Sequence, residues 1–392
     1  MTDIDVRQLI SENRLSVRLE PVVSLRQKAL IGHEARLAPT AGLPSGAALR
    51  AEAGRQNLSV DFDRWFRRAG LAVLPKTPEE RGLVFMAFDT AVLDLGVAGS
   101  GQLSKLVAEQ GLAPSEVVIA IRESKVDDLE ALKAFVAHHR AQGFLIALKG
   151  LGEGHSNLER LTLVRPDILK IGEGLTAGIE KDFFHQEIVR SLVALSRKIG
   201  ALVVAEGITE ESQALATLDL GVDMLQGVFW TAEGGWNSRL DRLAEKHKTF
   251  AVEKAKAAGL RVRGFETLLG QLVKSLSGQP IEAAENTLAQ FVGAQASIEC
   301  AFVLDAEGQQ VTETVARPDT AFKKSPLFRP ARKGADHSLK DYFYLLGDTF
   351  VTRYRSEPYV SLATGHLCVT LTALFRDGAN TPHILCLDVP WT

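Results

Sequence analysis

Over residues 15–230, short apolar runs alternate with amphipathic stretches, and this alternation restricts the possible folds more than any other feature. Strands are expected at 16–25, 82–88, 117–121, 144–148, 168–171, 202–205 and 224–229. Several of these runs are apolar throughout, as parallel strands covered on both faces would be. Between them, 129–142 places Leu132, Phe135 and Val136 on one helical stripe, and 185–199 does the same with Ile188, Leu192 and Leu195. Repeated strand–helix alternation of this length predicts an α/β fold, a (βα)8 TIM-like barrel with its chemistry at the C-terminal strand ends.

The pattern then changes. Residues 238–275 are charged and nearly free of breakers, which predicts a long connecting helix with Gly259 and Gly264 as candidate breaks. A helix over 282–292 follows, then short strands at 297–304, 309–314, 359–362, 367–375 and 384–389. Hairpin-like breaks fall at 305–308 and 376–378. The expected organisation is a barrel domain over 1–237, a helical linker over 238–280 and a small α+β domain over 281–392.

With 392 residues, 46% of them hydrophobic, two cores are affordable, and a net charge of −3 leaves no electrostatic footprint for nucleic acid. Cys300, Cys368 and Cys386 form an odd set without metal-like spacing, which fits reduced thiols in a cytoplasmic, bacterial-type protein. The first residues carry Asp3 and Asp5 and no apolar signal core, and no apolar run is long enough for membrane insertion. The nine histidines show no ligand spacing.

Read together, the strand ends carry a distinctive set of segments. These are Glu34-Ala35-Arg36-Leu37, Arg165-Pro166-Asp167-Ile168-Leu169-Lys170-Ile171, Ala205-Glu206-Gly207-Ile208 and Leu220-Gly221-Val222-Asp223-Met224-Leu225-Gln226-Gly227. In this order they resemble the EAL domain, the family of cyclic di-GMP phosphodiesterases, over about residues 15–230. The resemblance implies attack of a metal-activated water on a phosphodiester, with two Mg2+ or Mn2+ ions held by oxygen ligands. Glu34 matches the first ligand. The Asn position falls on Ala87, the next Glu on Ala120, and the double Asp on Lys149 and Gly150. One ligand of the family's five is kept, and a cation replaces the central Asp. Two unit charges 4 Å apart interact by about 4 kcal/mol at an effective dielectric of 20, so Lys149 opposes each divalent ion by about twice that.

The expectation is therefore an inactive scaffold with no metal and no cofactor, in which Glu34, Glu123, Lys170, Glu206 and Gln226 are vestiges of a catalytic site. Of these, the resemblance makes Glu206 the general base and Lys170 a water-positioning group. Lys149 and Lys170 are expected to neutralise Glu34, Glu123 and Glu206 as a satisfied polar cluster, with Lys149 pairing Glu34 or Glu123. Gln226-Gly227 is otherwise read as strand-end packing. Cyclic di-GMP is the ligand the resemblance implies, with Arg36, Glu206 and Gln226 as candidate contacts. Against its capture stand Ala38 at the phosphate-binding Arg position, Glu20 at the guanine-binding Gln position, and Glu153 in the loop 150–154.

In the last part, the segments 336–344, 356–365 and 368–370 with the strand 384–389 are similar to a Cache-type, PAS-like sensor domain. That resemblance implies ligand contacts from Tyr342, Arg353, Tyr359 and Asp388, or a dimerisation role. The combined expectation is a regulatory or scaffold module that binds a protein partner, as a homodimer. Its alternative is a cyclic di-GMP receptor without hydrolysis; third comes a working phosphodiesterase with relocated ligands.

Overall fold

A computed structural model describes residues 4–88, 101–122, 128–152, 159–231, 235–318, 327–348 and 351–391. Two compact units emerge, residues 1–252 and 253–392.

Eight strands close the first unit into a barrel: β1 (Val17–Ser24), β2 (Ala29–Leu37), β3 (Leu83–Phe88), β4 (Val117–Arg122), β5 (Leu145–Leu151), β6 (Ile168–Ile171), β7 (Leu202–Ala205) and β8 (Met224–Gln226). The (βα)8 TIM-like barrel is as expected, with two features that the strand runs did not reveal. The chain makes an additional strand, β2, whose mixed sequence of Gly32, His33, Glu34 and Arg36 hid it from an apolar-run reading. In addition, β1 runs antiparallel to both β2 and β8, because a tight turn after Ser24 joins β1 directly to β2 without a crossover helix. The expected strand at 224–229 stops at Gln226, and Val228–Trp230 forms a short 3-10 turn.

The barrel interior is filled by Val22, Phe85, Val118, Ala120, Ala147, Ile168, Val204 and Met224, two from β4 and one from each of six other strands. Outward residues Ile119 and Ile121 meet Leu132, Phe135 and Val136 of the helix Leu129–Ala141, the stripe expected from the sequence. The helix Phe183–Ile199 buries Val189, Val193 and Ser196, while Ile188 remains exposed. The expected stripe is thus rotated by one residue, since Val189 and Val193 are as compatible with helical spacing as Ile188 and Leu192. Asp182 caps this helix by accepting from the His185 amide (3.0 Å), and Gly200 ends it in the left-handed conformation.

The linker helix Gly235–Leu276 runs through Gly259 and Gly264 without a break. Isolated glycines weaken a helix by only about 1 kcal/mol each, which the helix formers around them offset. Its first turns bury Leu240 and Leu243 in the barrel unit, and its last bury Leu269, Leu272 and Leu276 in the second.

The second unit is an antiparallel sheet of β9 (Cys300–Leu304), β10 (Val315–Ala316), β11 (Arg353–Arg355), β12 (Tyr359–Val360), β13 (Leu367–Arg376) and β14 (Pro382–Pro390), in the order β10-β9-β14-β13-β11 with β12 also on β13. The expected strand at 309–314 is instead irregular chain making isolated bridges, with β10 displaced to Val315–Ala316. One face packs Val303, Leu371, Leu385 and Leu387 against the helix Ala284–Ala294 and the end of the linker helix. Alternation along β13 and β14 puts Thr370, Thr372, Cys386 and Asp388 on the other face, toward Tyr342 of the helix Asp341–Asp348. Among the described residues, no helix is long and apolar enough to cross a membrane.

Gly32 is placed opposite Leu83 where β2 meets β3, and a Cβ there would lie 2.0 Å from the Leu83 carbonyl oxygen. Gly32→Ala is expected to destabilise the barrel by about 1 to 3 kcal/mol, read from the urea midpoint; an unchanged midpoint would contradict this close approach.

Candidate functional site

At the C-terminal ends of the parallel strands, polar and charged side chains converge from five barrel strands and the residue after β7. Glu34 and Arg36 stand on β2, Lys149 on β5, Lys170 on β6, Glu206 after β7, Gln226 on β8 and Glu20 on β1. Parallel pairing sets Lys149 beside Lys170 and Arg122 beside Lys149, so three cations arrive on adjacent strands. Between Lys149 and Leu151 the register slips, with Gly150 at a φ of 87°. This bulge explains a glycine at the second position of the expected Asp pair.

Lys149 donates to both remaining acids, to Glu34 Oε1 and to Glu206 Oε1 (2.8 Å). Lys170 donates to Glu34 Oε2 (2.6 Å) and Gln226 Oε1 (2.8 Å), and lies 3.0 Å from Glu206 Oε1. Gln226 completes Glu34 by donating to Oε2 (2.7 Å) and reaches Glu20 Oε2 (3.2 Å). Arg36 donates to Glu206 Oε1 (2.9 Å) and lies 3.3 Å from Glu20 Oε2. Glu20 in turn accepts from Arg18 (2.7 Å).

Glu34, Glu206, Lys149 and Lys170 are all buried. Isolated charges would be untenable there, and three carboxylates against Arg36, Lys149 and Lys170 make the cluster neutral before Arg18 is added. Burial alone would raise the Glu34 carboxyl. The charges of Arg36, Lys149 and Lys170 overcome it and hold Glu34 well below the usual carboxylate range. Glu206 is likewise raised by burial and pulled down, to about 2, chiefly by Lys149 and Lys170. Burial and Arg36 lower Lys149 to about 8, against the pull of Glu206 and Glu34, so its ammonium persists at neutral pH. Because both acids are depressed, their contribution to stability is present above the ordinary carboxylate range and is lost as pH falls toward about 2.

The residues present do not fit a pair of divalent ions. Ala87 and Ala120, side by side on β3 and β4, offer no oxygen, and both Glu34 oxygens accept from ammonium or amide donors. No group of three or more metal-ligating side chains occurs among the described residues. The expected partnership of Lys149 is found with Glu34, and also with Glu206. Glu123 and Glu153 lie outside the described residues.

Above the cluster opens a cavity of about 430 Å3, lined by Arg18, Arg36, Arg50, Arg122, Phe66, Thr209 and the cluster itself. Sequence reading missed Arg18, Arg50 and Arg122. Two of them were findable by parity: Arg122 lies two residues beyond inward Ala120, and Arg18 two before Glu20. Arg50 reaches the site from a helix, stacked 4.5 Å over the Phe66 ring, which no strand pattern encodes.

The second unit treats its candidate residues differently. Asp388 is buried, and no described cation meets its carboxylate. It accepts from Thr370 (2.7 Å) on β13, and at 3.4 Å each from Cys300 on β9 and from Ser361. Tyr359 bonds Thr370 (2.6 Å), extending a hydroxyl chain to the carboxylate. Burial, with only neutral donors to offset it, raises Asp388 to about 6. Tyr342 faces the same side and bonds His337 Nδ1 (2.8 Å), while burial raises its phenol above the usual range. Arg353 is not part of this group; it is exposed and pairs with Glu266 (3.0 Å).

The sequence model of the EAL domain matches residues 4–232, and the chain belongs to that family. YkuI of Bacillus subtilis, an uncharacterised EAL-domain protein, is 25% identical over 327 residues, 79% of this chain and 77% of its own. The bifunctional diguanylate cyclase/cyclic di-GMP phosphodiesterase MucR of Pseudomonas aeruginosa is 26% identical over 236 residues, 57% of this chain but only 33% of MucR. Among solved structures, YkuI in complex with cyclic di-GMP and calcium superposes with a TM-score of 0.79 at 21% identity, covering 99% of this chain and 100% of that one. The fold likeness thus extends through the second unit.

Two substitutions probe these electrostatics. Lys149→Met removes one of the cations that two buried carboxylates share, leaving them to Lys170 and Arg36, and is expected to destabilise the barrel by about 1 to 3 kcal/mol, with Glu34→Gln in the same chain restoring part of the loss. An unchanged melting temperature in Lys149→Met would refute the pairing. Asp388→Asn should stabilise the protein by on the order of 2 kcal/mol at pH 8. The gain shrinks below pH 6 and disappears near ~4, where folded and unfolded carboxyls are both protonated; a pH-independent difference would contradict a raised Asp388.

Proposed function

We propose that this protein is a non-catalytic member of the EAL family, a cytoplasmic regulatory or scaffold module that acts on a protein partner. One observation carries the reading: the Lys149 ammonium donates to Glu34 and Glu206 in the position where divalent ions would need those oxygens. Glu206 accepts from Lys149 and Arg36 and is depressed to about 2, so it is a poor base and has no metal-bound water to act on. The barrel (1–237), linker (238–280) and C-terminal domain (281–392) then serve binding. The last is a PAS- or Cache-like sensor or dimerisation module. Exposed Phe183, Phe184 and Ile188 on one barrel helix support self-association as a homodimer.

A second reading is a receptor that captures cyclic di-GMP without metal or hydrolysis. It is favoured by the cavity above the cluster, where Arg122 makes no hydrogen bond or ion pair with a described residue. A guanidinium there can hold a phosphate as a bidentate donor. YkuI and the MucR phosphodiesterase have been solved in complex with cyclic di-GMP, and the ligand is a proposal for this chain.

The deciding assay is hydrolysis of cyclic di-GMP with Mg2+ or Mn2+, paired with calorimetric titration in EDTA. No turnover is expected under either metal. Turnover that disappears in Glu206→Gln would overturn the non-catalytic reading. Binding in EDTA that is lost in Arg122→Ala would select the receptor, and no heat at all would leave the protein-interaction scaffold.

A further inference from the structure

We infer that the barrel carries a second ligand site, at the end opposite the charged cluster, that takes a small phosphomonoester. A concavity of about 400 Å3 lies there, among the helix Phe183–Ile199, the turn before β8, the turn after β1 and the linker helix as far as Ala251. All of it belongs to the barrel unit. Ligand sites of useful size begin at roughly 300 Å3.

Its chemistry is that of an anion site. Arg190 and Arg197 stand seven residues apart on one helix face, with Val193 and Ala194 between them as a floor. Arg26 enters from the turn after β1. Both Arg26 (3.2 Å) and Arg197 (3.1 Å) donate to the same Gly221 carbonyl, which fixes two guanidiniums side by side. Arg26 also meets Asp223 (3.1 Å), and Arg190 meets Glu187 (3.2 Å) in an exposed pair. Each guanidinium has five N–H donors, so these bonds leave several for a ligand. Across the concavity, His247 holds a buried Nδ1 with no hydrogen-bond partner among the described residues. Asp219 is the one carboxylate in the lining, against three arginines.

The placement of His247 is itself secured. One turn earlier Arg242 (2.8 Å), and at the adjacent position Lys246, pair with Glu211 of the helix Glu211–Asp219. Arg26 and Arg190 are already paired with Asp223 and Glu187, so what matches a phosphate here is the forked set of N–H donors that the three guanidiniums keep beyond those bonds, not an excess of charge. The apolar walls of Val193, Leu218, Leu220 and Ala251 suit a compact apolar body attached to it.

Inorganic phosphate and phenyl phosphate are the probes, titrated calorimetrically into the full chain at constant ionic strength. Saturable binding is expected, tighter for phenyl phosphate because of the apolar wall. Arg190→Ala should weaken both by about tenfold, the loss of one charge-assisted contact. Ala251→Asp, which keeps every arginine and adds a repelling carboxylate, should do the same. The same titrations in an Arg122→Ala background, which removes the phosphate contact proposed at the other end, should still show this saturable site and its weakening by Arg190→Ala. Binding that survives Arg190→Ala and Ala251→Asp, binding that is lost in Arg122→Ala, or the lack of saturable binding would each overturn the assignment. None of these results depends on whether the barrel mouth captures cyclic di-GMP.

Discussion

The barrel mouth depends on one ammonium shared between two buried carboxylates. Lys149 touches Glu34 and Glu206 at once, and Lys170 repeats the pattern from the next strand. In a medium of low dielectric, either carboxylate alone would be protonated or the site would not close. With the cations present, both stay charged and hydrogen-bonded, and Gln226 and Arg36 close the remaining gaps. Both oxygens of Glu34 and Oε1 of Glu206 are thus engaged by the protein's own side chains.

Topology makes this possible. Neighbouring parallel strands place Arg122, Lys149 and Lys170 in register, and the bulge at Gly150 lets β5 pass Lys149 into the mouth before the chain leaves. The second unit solves a similar problem by other means. Asp388 is as buried as Glu206 but is met by a thiol and hydroxyls, so its carboxyl rises to about 6 where that of Glu206 falls to about 2. The same burial has opposite consequences, decided by whether the donors carry charge.

The barrel was legible because apolar runs such as 117–121 and 144–148 have one physical explanation, strands covered on both faces. The polar strand β2 was not, since its Glu34 and Arg36 point into the mouth and erase the apolar pattern. Ala87, Ala120 and Lys149 could be set against metal-ligand positions only through the resemblance to the EAL family, because a replaced ligand is not visible in one chain by itself. Partner choice was legible in part: the Glu34 partner expected of Lys149 is found, and Glu206 joins it. That is set by strand order around the closed barrel, which brings the end of β7 near β2. Arg50 was missed because it enters the mouth from a helix, and Arg353 was grouped with Asp388 although it pairs with Glu266.

The account is tested most directly by crystals soaked in Mn2+ and measured for anomalous scattering at the barrel mouth. It predicts no anomalous peak near Glu34 and Glu206, with Lys149 Nζ remaining within hydrogen-bonding distance of both. A peak coordinated by Glu34 and Glu206, with Lys149 displaced from them, would contradict it.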